Sequence, residues 1–135
     1  AELAERDGKQ KVNREYIDRA NEKIERDKIL DVVATQPKQF QLTLLAAIKL
    51  SIQHESFFTS DIYNIYQELC AATATEPLTQ RRIGDIIAEF DMLGLLSTKV
   101  ISKGRYGRTR AIRLAIPPSL LNKVRAILNE ALTLK

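Results

Sequence analysis

Two short stretches concentrate the side chains that can hold a polyanion. In "SKGRYGRTR", residues 102–110, Lys103, Arg105, Arg108 and Arg110 stand with Tyr106 and Thr109, and no acid lies among them. In "TQRRIGD", residues 79–85, Thr79, Gln80, Arg81 and Arg82 come just ahead of Asp85. A guanidinium offers a planar fork of donors that fits phosphate oxygens and the guanine edge, and a glutamine amide fits the adenine edge. These residue types point to recognition of a nucleic acid.

The charge distribution supports that reading more than the net charge of +4 does. Residues 1–75 hold 10 basic and 12 acidic groups, whereas residues 76–135 hold 11 basic and 5 acidic. Between 97 and 113 there are six cations (Lys99, Lys103, Arg105, Arg108, Arg110, Arg113) and no acid. Such a run repels itself unless an anion is close, so nucleic acid is the first expected partner and an anionic membrane the second.

Other chemistries find little support in the chain. At 135 residues and 44% hydrophobic it has enough material for one globular domain. Nothing approaches the roughly 20 apolar residues of a membrane span. Cys70 and His54 are the sole cysteine and histidine, too few for a disulfide framework or a zinc site, and a reducing, intracellular setting is expected. His54 reads as a helix-end or surface residue, Cys70 as a core thiol, and Tyr63 and Tyr66 as packing aromatics. The chain contains no G-x-x-x-x-G-K-[ST], no G-x-S-x-G and no paired carboxylates in an apolar setting, so no catalytic apparatus is visible. It opens "AELAERDG", without an initiator methionine or a signal-peptide pattern, which suggests a piece of a longer protein.

The elements that position the basic stretches follow from periodicity. Asn13 can cap a long helix through "REYIDRANEKIERDKILDVVAT", ended by Gln36 and Pro37. Its polar first half suits a connector, so residues 1–30 are assigned to a preceding unit and 31–135 to the domain proper. "QFQLTLLAAIKLSIQ" reads as a buried helix. "FFTSDIYNIYQELCAAT" follows, with Thr59 or Ser60 as N-cap and Ile62, Ile65, Tyr66 and Leu69 on one face. "PLTQRRIGDIIAEFDMLGLL" is a third helix, with Thr79 as N-cap, apolar residues at Ile83, Ile86, Ile87, Phe90 and Leu93, and Gly94 as its stop. "LLSTKVIS" and "RAIRLAI" then read as two strands joined by the glycine-bearing turn "KGRYGRT". "PPSLLNKVRAILNEALTLK" closes the chain as an amphipathic helix opened by Pro118 and Ser119. The expected fold is mainly α with a small β-hairpin: a winged helix-turn-helix preceded by a long linker helix.

At 100° per residue, the third helix turns Arg81, Asp85, Ala88 and Met92 outward, with Arg82 and Glu89 on one flank and Gln80 and Gly84 on the other. Its N-terminal N–H groups and the Thr79 hydroxyl suit a phosphate, while Gln80, Arg81 and Arg82 can reach base edges. Asp85 has two readings, orienting Arg81 through an i,i+4 pair or accepting from a cytosine amino group. Small residues at 84 and 88 allow close approach to a groove, although a mid-helix glycine costs about 1 kcal/mol relative to alanine. Tyr106 either meets sugar and phosphate in a minor groove or folds back on the hairpin, and Gly104 and Gly107 supply the turn.

The run "PLTQRRIGDIIAEFDMLGLLSTKVISKGRYGRTRAIRL", residues 77–114, closely resembles the C-terminal winged-helix domain of archaeal replication initiators of the origin-recognition-complex and cell-division-control family. The elements "LTQRR", "DMLG" and "GRYGRT" carry the match, and "KVNREYIDRANEKIERDKIL" is similar to the end of the AAA+ lid that precedes that domain. The resemblance implies binding of double-stranded origin DNA in a cytoplasmic, nucleoid-associated initiator. Thr79–Arg82 would open the recognition helix, and Lys103–Arg110 would form a wing in the minor groove. It also implies ATP or ADP with magnesium in an upstream ATPase domain, none of whose machinery is in this chain, and contacts with the replicative helicase and other initiator subunits. Two other readings of the residues are a protein-docking winged helix, using the apolar face Leu120, Leu121, Val124, Ile127 and Leu128, and a small dimeric transcription regulator.

Overall fold

The computed structural model describes residues 24, 26–102 and 108–133. Residues 26–35 are helical, and the helix stops where Gln36 and Pro37 were expected to stop it, because proline has no N–H to continue the ladder and disfavours helical backbone in the residue before it. The expected start at Asn13, and the first 23 residues of the unit assigned to 1–30, lie outside the described residues. Three helices follow, α1 (Lys38–Gln53), α2 (Thr59–Ala72) and α3 (Gln80–Leu93), then an antiparallel hairpin of β1 (Leu96–Ser102) and β2 (Arg108–Leu114), then α4 (Pro118–Ala131). This is the expected winged-helix order.

The apolar character of α1 makes it the central element. Leu42, Leu44, Leu45, Ala46, Ala47 and Ile48 are all buried, as a helix that is apolar around most of its circumference requires. Two buried polar side chains on it are satisfied: Gln41 Nε2 donates to the Val33 carbonyl at 3.2 Å, and Thr43 Oγ1 donates to the Gln39 carbonyl at 2.8 Å. The Gln41 amide thereby serves one of the carbonyls left free at the end of the preceding helical segment. Around α1 pack Ile62, Tyr66, Leu69 and Cys70 of α2, Ile83, Ile86, Ile87 and Phe90 of α3, and Leu120, Val124 and Leu128 of α4. Phe40 meets Phe90 edge to face, with centroids 5.7 Å apart. Burial pushes the Cys70 thiol pKa up, so Cys70 is the protonated core thiol its position suggested. The α4 stripe offered as a docking face is largely spent on this core.

Two local expectations are corrected. Helix α2 begins at Thr59 itself, with Phe58 as N-cap residue; Asp61 Oδ2 accepts the Phe58 N–H at 2.9 Å, so the carboxylate at the third helical position reaches back to the cap residue's own N–H, the acid's half of a capping box. Leu93, the last apolar residue of the run, is 44% exposed and directly precedes Gly94, whose φ of 80° ends the helix as expected. Strand β2 starts at Arg108, so Arg108 and Thr109 belong to the ladder, opposite Ser102 and Ile101, and not to the turn.

The hairpin is tied to the helices by an element with no periodic signal. Phe57, between α1 and α2, forms an isolated antiparallel bridge with Ile112: Phe57 N–H donates to Ile112 O at 2.9 Å and Ile112 N–H to Phe57 O at 2.8 Å. Both side chains are buried.

Candidate nucleic-acid interface

The N-terminus of α3 is set in place by its neighbours. Thr79 is the N-cap, with extended backbone and an Oγ1 that accepts the Arg82 N–H at 3.3 Å. Just ahead of it, Leu78 is gripped on both backbone groups. Tyr63 Oη donates to the Leu78 carbonyl at 2.9 Å, and Tyr66 Oη accepts the Leu78 N–H at 2.8 Å. The Tyr66 hydroxyl donates in turn to Gln39 Oε1, and Gln39 Nε2 donates to the Glu76 carbonyl at 3.2 Å. The two rings stack with centroids 5.9 Å apart. Burial pushes the Tyr66 hydroxyl up to about 12, so it stays protonated and serves as donor and acceptor at once. Tyr63 and Tyr66 are packing aromatics as expected, and their hydroxyls also aim the third helix.

The outward face of α3 matches the helical projection. Thr79, Gln80, Arg81, Arg82, Asp85, Glu89 and Met92 are exposed, Gly84 and Ala88 are half-buried, and Ile83, Ile86, Ile87 and Phe90 point to the core. Asp85 does not form the i,i+4 pair with Arg81; among the described residues the ion pair present is Arg113 with Glu55. With the cation N-terminal to the acid, the pair has the weaker orientation on a helix, and exposed ion pairs gain little. A Cβ added at Gly84 would meet nothing within 4 Å, so no packing within the described chain requires glycine there.

On the hairpin side, Lys103, Arg105 and Tyr106 lie outside the described residues. Arg108 and Thr109 are placed by the strand register alone. Arg110 is exposed and its Nη1 donates to the Gly84 carbonyl at 3.2 Å, while Thr98 Oγ1 donates to Asp91 Oδ2 at 2.7 Å. The cation run also has a counter-acid that its own sequence neighbourhood lacks. The Phe57 bridge to Ile112 brings Glu55 beside Arg113, which is turned to that pair. His54 is the exposed C-cap residue of α1, as expected. Among the described residues no cluster of His, Cys, Asp and Glu could hold a metal ion, and no helix is long and apolar enough to cross a membrane.

Residues 31–124 match the Cdc6 C-terminal winged-helix domain. The chain belongs to that family. This Cdc6 winged-helix chain is 46% identical over 124 residues to an ORC1-type DNA replication protein of Pyrococcus abyssi, covering 91% of this chain and 30% of the relative. It is 45% identical over 117 residues to ORC1-type DNA replication protein 7 of Halobacterium salinarum, covering 86% of this chain and 23% of the relative. The structure of the Aeropyrum pernix ORC1 protein in complex with DNA superposes with a TM-score of 0.75 at 38% identity, over 86% of this chain and 30% of that one. The Cdc6 winged-helix chain thus spans under a third of these relatives. The part matched is the C-terminal winged-helix domain, and the sequence carries no catalytic motif of the kinds named above.

Sequence reasoning missed Gln39, Phe57, Glu55 and the tyrosine hydroxyls. Each acts through a partner more than 10 residues away, and no periodic pattern marks such a pair.

Proposed function

We propose that the chain is the DNA-reading part of a replication initiator and binds double-stranded origin DNA, with α3 in the major groove and the hairpin end in the adjacent minor groove. The observation that carries this reading is the first turn of α3: Gln80, Arg81 and Arg82 are exposed and have no side-chain partner among the described residues, at the end of a helix aimed by the tyrosine clamp. Thr79 and the helix N–H groups would take a phosphate, and Gln80, Arg81 and Arg82 base edges. Asp85, unpaired with Arg81, is available to a cytosine amino group. Lys103, Arg105, Tyr106, Arg108 and Thr109 would grip the minor groove and its phosphates. The DNA complex of the Aeropyrum pernix ORC1 protein supports the assignment.

In the longer protein, an ATPase domain would bind ATP or ADP with magnesium and help to engage the replicative helicase and other initiator subunits. This chain has no phosphate-binding loop motif of the kind that would hold the nucleotide.

Selection of duplexes from a randomised library by the chain, followed by titration of the selected duplex and its scrambled version over a salt series, tests the reading. Convergence on one sequence is expected, with affinity falling steeply as salt rises. Arg81→Ala should cost about 1–3 kcal/mol on the selected duplex and little on the scrambled one. Duplex binding left unchanged by joint replacement of Arg105 and Arg108 with alanine would show the wing assignment to be wrong.

A further inference from the structure

Among the described residues the hairpin meets α3 through two side-chain hydrogen bonds, one from each strand. Thr98 on β1 donates to Asp91, and Arg110 on β2 donates to the carbonyl of Gly84. Asp91 and Gly84 are seven residues apart on α3, about two turns or roughly 10 Å along its axis. One contact fixes a point; two contacts separated along a helix fix an angle.

The register shows which part of the hairpin each contact governs. Thr98 stands opposite Ile112, the residue bridged to Phe57, so that rung is already anchored in the core. Arg110 stands opposite Val100, one same-face rung nearer the tip, and directly opposed residues share a face of the ladder. The core therefore sets where the hairpin leaves the domain, and Arg110 sets how its outer part lies along α3. Val100 is 59% exposed, so apolar packing contributes little on that rung.

Resting on the DNA-binding reading above, we infer that Arg110 is a positioning residue: it fixes the angle between hairpin and recognition helix, and hence the alignment of the two groove contacts, and it is not a phosphate ligand. Its Nη1 donates to a helix carbonyl, and in this assignment that carbonyl, not a phosphate, is the partner that holds the side chain. The two roles differ in one observable, because each phosphate neutralised adds about 0.9 to the slope of log affinity against log salt.

The test compares Arg110→Ala, Thr98→Val and Arg108→Ala on the selected and scrambled duplexes across a salt series, with thermal melts to verify folding. Arg110→Ala should lower the ratio of selected to scrambled affinity about tenfold, the value of one misaligned base contact, with the slope unchanged, whereas Thr98→Val, on the rung the core already anchors, should change the ratio much less. Arg108→Ala should reduce the slope by about 1. A slope reduced by about 1 in Arg110→Ala, or an unchanged affinity ratio, overturns the inference and leaves the DNA-binding reading standing. If the unaltered chain does not prefer any duplex, that reading fails and this inference fails with it.

Discussion

The entry to α3 and the hairpin beside it are held by different physics. At the entry, Leu78 is locked by two tyrosine hydroxyls, one of them on the fully buried Tyr66, and the helix behind it buries Ile83, Ile86, Ile87 and Phe90. The hairpin is anchored at its base by the buried Leu96 and Ile112 and by the Phe57 bridge, and its other links to the helices among the described residues are exposed polar contacts, Arg110 to Gly84, Thr98 to Asp91 and Arg113 to Glu55. A buried donor that loses its partner costs its full desolvation, whereas an exposed one turns to water. Helix α3 is therefore preset by the core, and the hairpin beyond its buried base is adjusted by contacts of small individual worth.

The largest effect should come from breaking the buried side. Tyr66→Phe keeps the ring and removes one oxygen, leaving the Leu78 N–H and the Gln39 amide oxygen without their partner; a loss of about 1–3 kcal/mol in urea unfolding is expected. The pH dependence gives a second readout. The Tyr66 pKa is raised from 10.0 to about 12 in the folded chain, so its contribution is complete below pH 10 and is lost as pH rises towards the folded value. Tyr66→Phe should flatten that alkaline decline.

A smaller change of opposite sign is expected between the two regions, at Gly84. Its Cβ position is open, so Gly84→Ala should stabilise the chain by about 1 kcal/mol through helix propensity. On the proposed docking the same methyl would stand between α3 and a groove floor, so duplex affinity should fall while stability rises. A rise in both would show that no partner approaches the helix there.

The smallest effect belongs to the hairpin surface. Arg113 and Glu55 are 57% and 82% exposed in their side chains, so Glu55→Gln should change stability by only about 0.2–1 kcal/mol. It should leave the selected-to-scrambled affinity ratio unchanged. A change in that ratio would extend the positioning role from Arg110 to Arg113 and weaken the contrast between the two regions.

Much of this protein was legible in its sequence, because the governing interactions are local. Apolar spacing in "RIGDIIAEF" sets which side of α3 is buried, Thr79 and Gly94 mark its ends, and Gln36 and Pro37 stop the helix before α1; these depend on residues within a turn or two. The exposed positions of Gln80, Arg81, Arg82 and Asp85 follow from the same geometry. What tertiary structure alone decided is where groups distant in sequence meet. Phe57 pairs with Ile112, Gln39 with Tyr66, Glu55 with Arg113, and Arg110 with Gly84. The sequence presents Arg110 and Arg113 as two cations of one run. Chain folding gives each its own partner, because strand alternation sends neighbouring side chains to different surfaces and only the packed core determines which groups wait there.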